Sequence, residues 1–191
     1  MQCPGCERPL RACLCACVRP LDNRVELLIL QHPQEATEAK GTAALLKRCL
    51  SRCTLQVGKQ FEPPPDEGRY TLLLYPPSAG PQDLTPPLQP ERLADPATLR
   101  LVLLDATWRK SLRLLHENHW LQQLPRLPLQ IDSAAAPLYA PLRRAPAAHQ
   151  LSTLEAAALA LQQLGEPAAL AEGLRAAMAD FVSLQLAWTR G

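Results

Sequence analysis

Residues 101–108, read Leu-Val-Leu-Leu-Asp-Ala-Thr-Trp, constrain the chain more than any other stretch. Four consecutive aliphatic residues bounded by a polar turn read as a short buried strand. Asp105 sits where that strand ends, and Thr107 and Trp108 lead into residues 109–119, a basic stretch with helical spacing. Open α/β sheets bind their ligands beyond the carboxyl ends of the strands. A carboxylate there, next to a hydroxyl and an indole, marks a candidate polar site. The competing structural reading is a cap on the following helix.

The remaining periodicities place other elements around this strand. Residues 25–30 read as a strand that stops at Gln31-His32-Pro33, because proline biases His32 away from helix. Residues 39–50 read as a helix with Ala43, Leu46 and Leu50 on one face, started by Thr37 or Thr42. A short strand over 55–58 and a clear one over 70–75 follow. The second breaks at once into Pro76-Pro77-Ser78-Ala79-Gly80. The helix after Trp108 carries Arg109, Lys110 and Arg113 on one side and Leu112 and Leu115 on the other. Residues 125–131 read as a short strand and 133–146 as a loop. Ser152 with Glu155 forms a capping box, and the alanine-rich run that follows is helix to Gln163. Gly165 ends it, and Pro167 opens a last helix over about 168–188. Alternating strands and helices define an α/β class, a sheet layer covered by helices. At 191 residues the chain is expected to form a single sheet-and-helix domain with a small appendage.

The appendage is written in cysteines. Five of the seven fall at Cys3, Cys6, Cys13, Cys15 and Cys17. With no apolar signal segment before them, the expectation is a reducing compartment, where clustered thiols mean metal more than disulfides. Cys3, Cys6, Cys13 and Cys15 could close a tetrahedral structural zinc site with no open position for substrate. Cys17 is an alternative ligand, and an iron–sulfur cluster or redox thiols are the other chemistries for such a set. Cys49 and Cys53 read as core thiols.

Other classes are excluded by what is missing. No apolar run is long enough for a membrane span. Lys40-Gly41-Thr42 lacks the phosphate-loop pattern, and no Gly-x-Gly-x-x-Gly follows the first strand, which argues against dinucleotide and ordinary methyltransferase domains. The net charge of +2 is unevenly spread: residues 101–150 hold six Lys/Arg against three Asp/Glu, and residues 151–191 two against four. The middle of the chain can therefore face a polyanion. Arg109 and Arg113 share a helix face as phosphate candidates, and Tyr139 with Arg143 and Arg144 could stack on a base and grip its backbone.

Taken in order and spacing, these motifs resemble the DTW-domain family, whose Asp-x-Thr-Trp signature is Asp105-Ala106-Thr107-Trp108 here. The resemblance runs almost end to end through Cys3-x-x-Cys6 with Cys13-x-Cys15, Gln31-His32-Pro33 with Glu35, Thr42-Ala43, Leu74-Tyr75-Pro76 and Leu151-Ser152-Thr153-Leu154-Glu155-Ala156. It implies a tRNA-uridine aminocarboxypropyltransferase. Such an enzyme moves the 3-amino-3-carboxypropyl arm of S-adenosylmethionine, not its methyl, to N3 of a uridine in the tRNA variable loop. The by-product is 5′-methylthioadenosine. The resemblance further implies a SPOUT-like α/β core with a C-terminal trefoil knot over 21–191, preceded by a zinc-binding segment over 1–20, in the cytoplasm. Its site residues would be Asp105, Thr107 and Trp108 for catalysis. His32, Thr42, Leu74, Tyr75, Pro76, Ser152, Thr153 and Glu155 would surround the cofactor. Arg109, Arg113, Tyr139, Arg143 and Arg144 would meet tRNA, with no DNA or membrane partner. Ala106 stands where many relatives carry glycine, Leu138 where they carry arginine, and Arg143-Arg144-Ala145-Pro146 matches their basic element with one residue inserted. Competing readings are a SPOUT-like RNA methyltransferase, aminocarboxypropyl transfer to ribosomal RNA, and a zinc-containing RNA-binding protein without catalysis. Oligomeric state is left open.

Overall fold

A computed structural model of the chain describes residues 1–6, 8–10, 13–77, 85–130, 138, 142 and 151–189. In chain order the elements are β1 (Glu26–Gln31), α1 (Pro33–Ala36), α2 (Ala43–Cys49), β2 (Cys53–Val57), β3 (Tyr70–Leu74), β4 (Leu99–Asp105), α3 (Trp108–Glu117), α4 (His119–Gln122), β5 (Arg126–Leu127), α5 (Thr153–Gln163) and α6 (Ala168–Thr189). The five strands form one sheet in the order β2-β1-β4-β3-β5, and every pairing is parallel.

The aliphatic runs explain the layers. A parallel sheet is buried on both faces, so its central strands need apolar residues at consecutive positions. β1 and β4 supply them. Leu27, Ile29, Leu72, Leu101 and Leu103 pack on one face against Leu46 of α2, Leu161 of α5 and Phe181 of α6. Leu28, Leu30, Leu73 and Val102 pack on the other against Leu115 of α3 and Leu121 of α4. Each such leucine, fully buried, contributes roughly 1.5–3 kcal/mol of transfer free energy. The result is a single α/β sheet-and-helix domain.

Topology then selects the site. From β1 the chain moves outward to β2 at one edge, whereas from β4 it crosses toward β5 at the other. The strand order therefore reverses between β1 and β4, and such a reversal opens a crevice at the carboxyl ends of the strands. The residues paired at that end are Gln31 and Asp105.

At the opposite end of β1, Glu166 closes the sheet from the turn between α5 and α6. Gly165, with φ +86°, makes that turn. The Glu166 side chain is buried, and its Oε1 accepts the backbone N–H groups of Arg24 at 2.5 Å and Val25 at 2.7 Å.

Several boundaries differ from the sequence reading. α2 starts at Ala43, not 39, because Gly41 N–H bonds back to the Glu38 carbonyl at 3.0 Å and turns the chain first. Thr42 occupies the cap position but makes no side-chain cap. β2 begins earlier than expected, at Cys53. The helix after Trp108 stops at Asn118, whose side chain bonds the carbonyls of Leu114 and Lys59 and the amide of Phe61. Leu112 is exposed; Leu114 packs inward beside Leu115. β5 is only two residues long, since Pro128 has no N–H to continue the ladder. Tracing a C-terminal knot needs the path through 131–150, most of which lies outside the described residues.

Candidate functional site

Asp105 closes β4 with its side chain on the α5 side of the sheet. Gln31 Nε2 donates to its Oδ2 at 2.7 Å, and the Thr153 hydroxyl donates to its Oδ1. Its carbonyl accepts the His32 N–H at 3.1 Å. Burial pushes the carboxyl above its ordinary value; the bonds from Thr153 and Gln31 pull it back, and the charge of Glu35 adds to the rise. Thr153 is in position because the Ser152–Glu155 box fixes the start of α5: Ser152 N and Oγ both donate to Glu155 Oε2, and Glu155 N donates to Ser152 Oγ. Thr42 joins the same corner, its Oγ1 accepting the Leu154 N–H at 3.2 Å.

Asp105 lines a cavity of about 530 Å³ whose polar wall includes Glu35, Lys40, Thr42, Thr107 and Ser111. Glu35 is held there by Lys110 at 2.7 Å. An adjoining cavity of about 450 Å³ shares Leu74, Tyr75, Pro76, Trp108, Ser152 and Thr153 and ends in an apolar wall of Leu103, Leu127, Leu129 and Ala156. Together they form a cleft with one charged end and one apolar end, of ordinary size for a small-molecule site. At its rim Trp108 is 62% exposed yet stacked on Tyr75, with ring centroids 5.3 Å apart and planes 12° from parallel. Tyr75 is buried, and the Arg126 guanidinium lies 5.4 Å from its ring centre. An exposed indole held at a fixed tilt is a surface for another flat ring.

Asp105, Thr107 and Trp108 thus share one cleft with Thr42, Leu74, Tyr75, Pro76, Ser152 and Thr153. His32 and Glu155 do not line it. His32 is buried, and its Nδ1 accepts the Gln34 N–H as the cap of α1. Glu155 is spent on the capping box. Arg109 is exposed with no ion pair among the described residues, while Arg113 is paired with Glu117 at 2.6 Å. Tyr139, Arg143 and Arg144 lie outside the described residues. Gln31, Lys40 and Lys110 were missed as site residues. The pairing of β1 with β4 brings in Gln31, the approach of α3 to α1 brings in Lys110, and Lys40 sits beside Thr42, which is bonded to the start of α5; no local pattern encodes any of these contacts.

The second cluster is at the amino end. The sulfurs of Cys3, Cys6, Cys13 and Cys15 all lie within 4.8 Å of one another, with Cys3–Cys15 at 3.7 Å, Cys6–Cys13 at 3.8 Å and Cys3–Cys13 at 3.4 Å. Four thiolates bound at about 2.3 Å to a tetrahedral ion stand roughly 3.8 Å apart, so the set is capable of coordinating zinc. The turn is close-packed at Gly5, where a Cβ would stand 3.1 Å from Cys15 Sγ. Backbone N–H groups of Gly5 and Cys6 pull Cys3 below the ordinary thiol value. Burial opposes ionisation of Cys6, but the N–H groups of Leu14 and Arg8 outweigh it and hold the thiol at about 6. Cys3 and Cys13 drive Cys15 up to about 12. Four thiolates this close need a cation to ionise together. Cys17 is not in the set; it is buried in the core with Leu14. Cys49 and Cys53 are core thiols too, and burial pushes Cys53 to about 12.

A family model described as the DTW domain matches residues 1–186. A mouse (Mus musculus) protein named tRNA-uridine aminocarboxypropyltransferase 2 is 32% identical over 97% of the chain, and its counterpart from Macaca fascicularis is 28% identical over the same share. An Arabidopsis thaliana tRNA-uridine aminocarboxypropyltransferase A is 30% identical over 57% of the chain. The chain spans 63% of the length of the two mammalian relatives and 48% of the plant one. No solved structure matches it significantly.

Proposed function

Since the chain belongs to the DTW-domain family, we propose that it is a tRNA-uridine aminocarboxypropyltransferase that converts a variable-loop uridine to its N3-aminocarboxypropyl form. The observation that carries the reading is Asp105: a buried carboxyl with a raised pKa, clamped by Gln31 and Thr153, in a cleft roofed by the exposed Trp108 stacked on the buried Tyr75.

S-adenosylmethionine supplies an electrophilic methylene next to its sulfonium; N3 of uridine bonds to that carbon, the carbon–sulfur bond breaks, and methylthioadenosine leaves. The cleft fits such a molecule, with an apolar wall at Leu103, Leu127 and Leu129 for the adenosyl end and charged groups Glu35, Lys40 and Asp105 for the amino-acid end. Uridine N3 attacks poorly while it keeps its proton. Asp105 accepts that proton, and its upward shift brings its basicity closer to the task. Gln31 and Thr153 leave each carboxylate oxygen with capacity for one more partner and hold the group still. Trp108, backed by Tyr75, stacks on the incoming base and excludes water from the reacting end. Thr107 orients the ligand at the start of α3. Holding nucleophile and carbon in line supplies much of the rate.

Arg109 and Arg113, with Tyr139, Arg143 and Arg144, form the tRNA contact in this reading. The cysteine cluster holds zinc as a structural ion over residues 1–20, leaving 21–191 as the catalytic domain with a SPOUT-like knotted core, in the cytoplasm. Among the described residues no helix is long and apolar enough to cross a membrane.

The test is incubation of the chain with S-adenosylmethionine and unmodified tRNA, followed by mass analysis of nucleosides and by-product. Aminocarboxypropyluridine with methylthioadenosine is the expected result. Methylated nucleoside with S-adenosylhomocysteine would replace the reading with a methyltransferase. Product from ribosomal RNA but not tRNA would move the acceptor.

A further inference from the structure

We propose that Arg8 couples the cysteine cluster to the cleft, so that the metal site holds the charged end of the S-adenosylmethionine pocket in its binding shape. This rests on the cofactor assignment of the cleft made above.

Arg8 lies between Cys6 and Cys13 in sequence, and its carbonyl accepts the Cys3 N–H at 2.8 Å. The base of its side chain is therefore part of the cysteine turn. The far end leaves that turn. Arg8 Nη2 donates to the carbonyls of Glu38 at 3.0 Å and Ala39 at 2.6 Å. The next residues along the chain, Lys40, Gly41 and Thr42, are walls of the polar cavity. Between the cluster and this loop lies a separate cavity of about 690 Å³, lined by Cys6, Arg8 and Gly41 among others. Arg8 reaches along its edge.

The loop needs such an anchor. It belongs to no strand, and its own bonds are short-range turns: Glu38 N–H to Glu35 O at 3.1 Å and Gly41 N–H to Glu38 O at 3.0 Å. The turn is tight, since a Cβ at Gly41 would stand 3.2 Å from the Glu38 carbonyl. At the far side Thr42 accepts from Leu154, and Lys40 Nζ reaches the Leu142 carbonyl at 3.4 Å. Arg8 completes the grip from the amino-terminal side. A guanidinium suits the position because its planar fork can serve two carbonyls from one nitrogen while staying charged. Arg8 is a positioning residue in this scheme, as groups beyond the first ligand shell commonly are.

Two measurements decide the matter. The first compares full-length wild type, Arg8→Lys and Arg8→Gln, each matched for bound zinc, by equilibrium dialysis with S-adenosylmethionine and by steady-state kinetics. Arg8→Gln is expected to bind the cofactor about tenfold more weakly and to raise its KM with little change in kcat. Arg8→Lys, which keeps the charge but not the fork, is expected to recover part of the loss. Unchanged affinity in Arg8→Gln, or equal losses in kcat and KM with no recovery by lysine, would overturn the proposal. The second measurement needs no cofactor. Hydrogen exchange of the wild type is followed with zinc bound and after chelation. Selective acceleration at Gly41, with β1 and β4 amides unchanged, supports the link. An unchanged Gly41, or uniform acceleration across the sheet, would sink it. If wild type binds no S-adenosylmethionine, the cofactor assignment fails while the exchange experiment still reports on the coupling.

Discussion

The cysteine cluster and the cleft are built by opposite strategies. The cluster draws its four sulfurs from one stretch, Cys3 to Cys15, and orders them with turns. The cleft draws on Gln31, Thr42, Tyr75, Asp105 and Thr153, which meet only after a five-stranded sheet has closed. A site made from contiguous chain needs an external source of stability, because so few residues cannot bury a core. A site made from strand ends takes its stability from the sheet and can tolerate an unfavourable group. Asp105 is such a group: a carboxyl placed where burial disfavours its charge.

That contrast sets the expected consequences of perturbation. The largest belongs to the zinc proposed for the cysteine cluster. Structural zinc contributes on the order of 10 kcal/mol of apparent binding free energy to small sites, so chelation, or Cys13→Ser, should unfold the residues ahead of Leu14, which itself stays in the core. Proteolysis should then cut there, while circular dichroism shows the sheet retained. Loss of the sheet as well would erase the distinction between the two sites.

Asp105→Asn should reduce product formation by about 10²–10⁴-fold, measured by nucleoside mass under single-turnover conditions. Its effect on stability has the opposite sign. The folded-state pKa of Asp105 is raised, so ionisation costs folding free energy once pH climbs through that value, and the cost vanishes below the unfolded value. The asparagine variant should therefore melt higher than wild type at pH 7–8, by about 2–4 °C for each kcal/mol relieved. The two melting curves should converge as pH falls toward about 4, the ordinary carboxylate range. A variant less stable at pH 8 than at pH 4, relative to wild type, would refute the account of Asp105.

Trp108→Ala should leave the melting point nearly unchanged, because the indole is 62% exposed. It should weaken activity on tRNA by roughly tenfold, within the about 1–3 kcal/mol that base stacking supplies. Trp108→Phe should restore most of it. The smallest effects separate the two arginines of α3. Arg109→Ala should lower the salt slope of tRNA binding by about 1. Arg113→Ala should cost no more than about 0.5 kcal/mol of stability with little change in slope, since Arg113 is already paired with Glu117. Equal slopes for both would mean that the pair opens when RNA arrives.

How much of this was legible follows from the same contrast. Cys3, Cys6, Cys13 and Cys15 could be read directly, because thiol spacing within a turn is a local property. Asp105, Thr107 and Trp108 were legible because a strand's last residue is marked by where its aliphatic run stops. The clamp on Asp105 was not. Gln31 ends another strand, and only the parallel register of β1 with β4 sets it opposite Asp105. Lys110 read as one more cation on a basic helix, whereas the approach of α3 to α1 turns it onto Glu35. Leu112 fitted an apolar face by spacing, but the helix is rotated so that Leu114 packs instead. The start of α2 was misread for a related reason. The alanine and lysine near 39–40 favour helix locally, yet bonds from Arg8 claim the carbonyls of Glu38 and Ala39. In each case a contact distant in sequence overrode a local preference.

The Glu166 clasp on β1 has a consequence for synthesis. The amides of Arg24 and Val25 wait for an acceptor that lies about 140 residues downstream. At ribosomal rates of about 5–20 residues per second, that delay is on the order of ten seconds. For about the first half of it β1, the most apolar of the early segments, has no β4 neighbour, and for all of it β1 has no terminal clasp. A nascent chain of this kind exposes a sticky strand until β4 has been made, so its yield in a cell should depend on chaperone supply and on translation speed through the first half of the message.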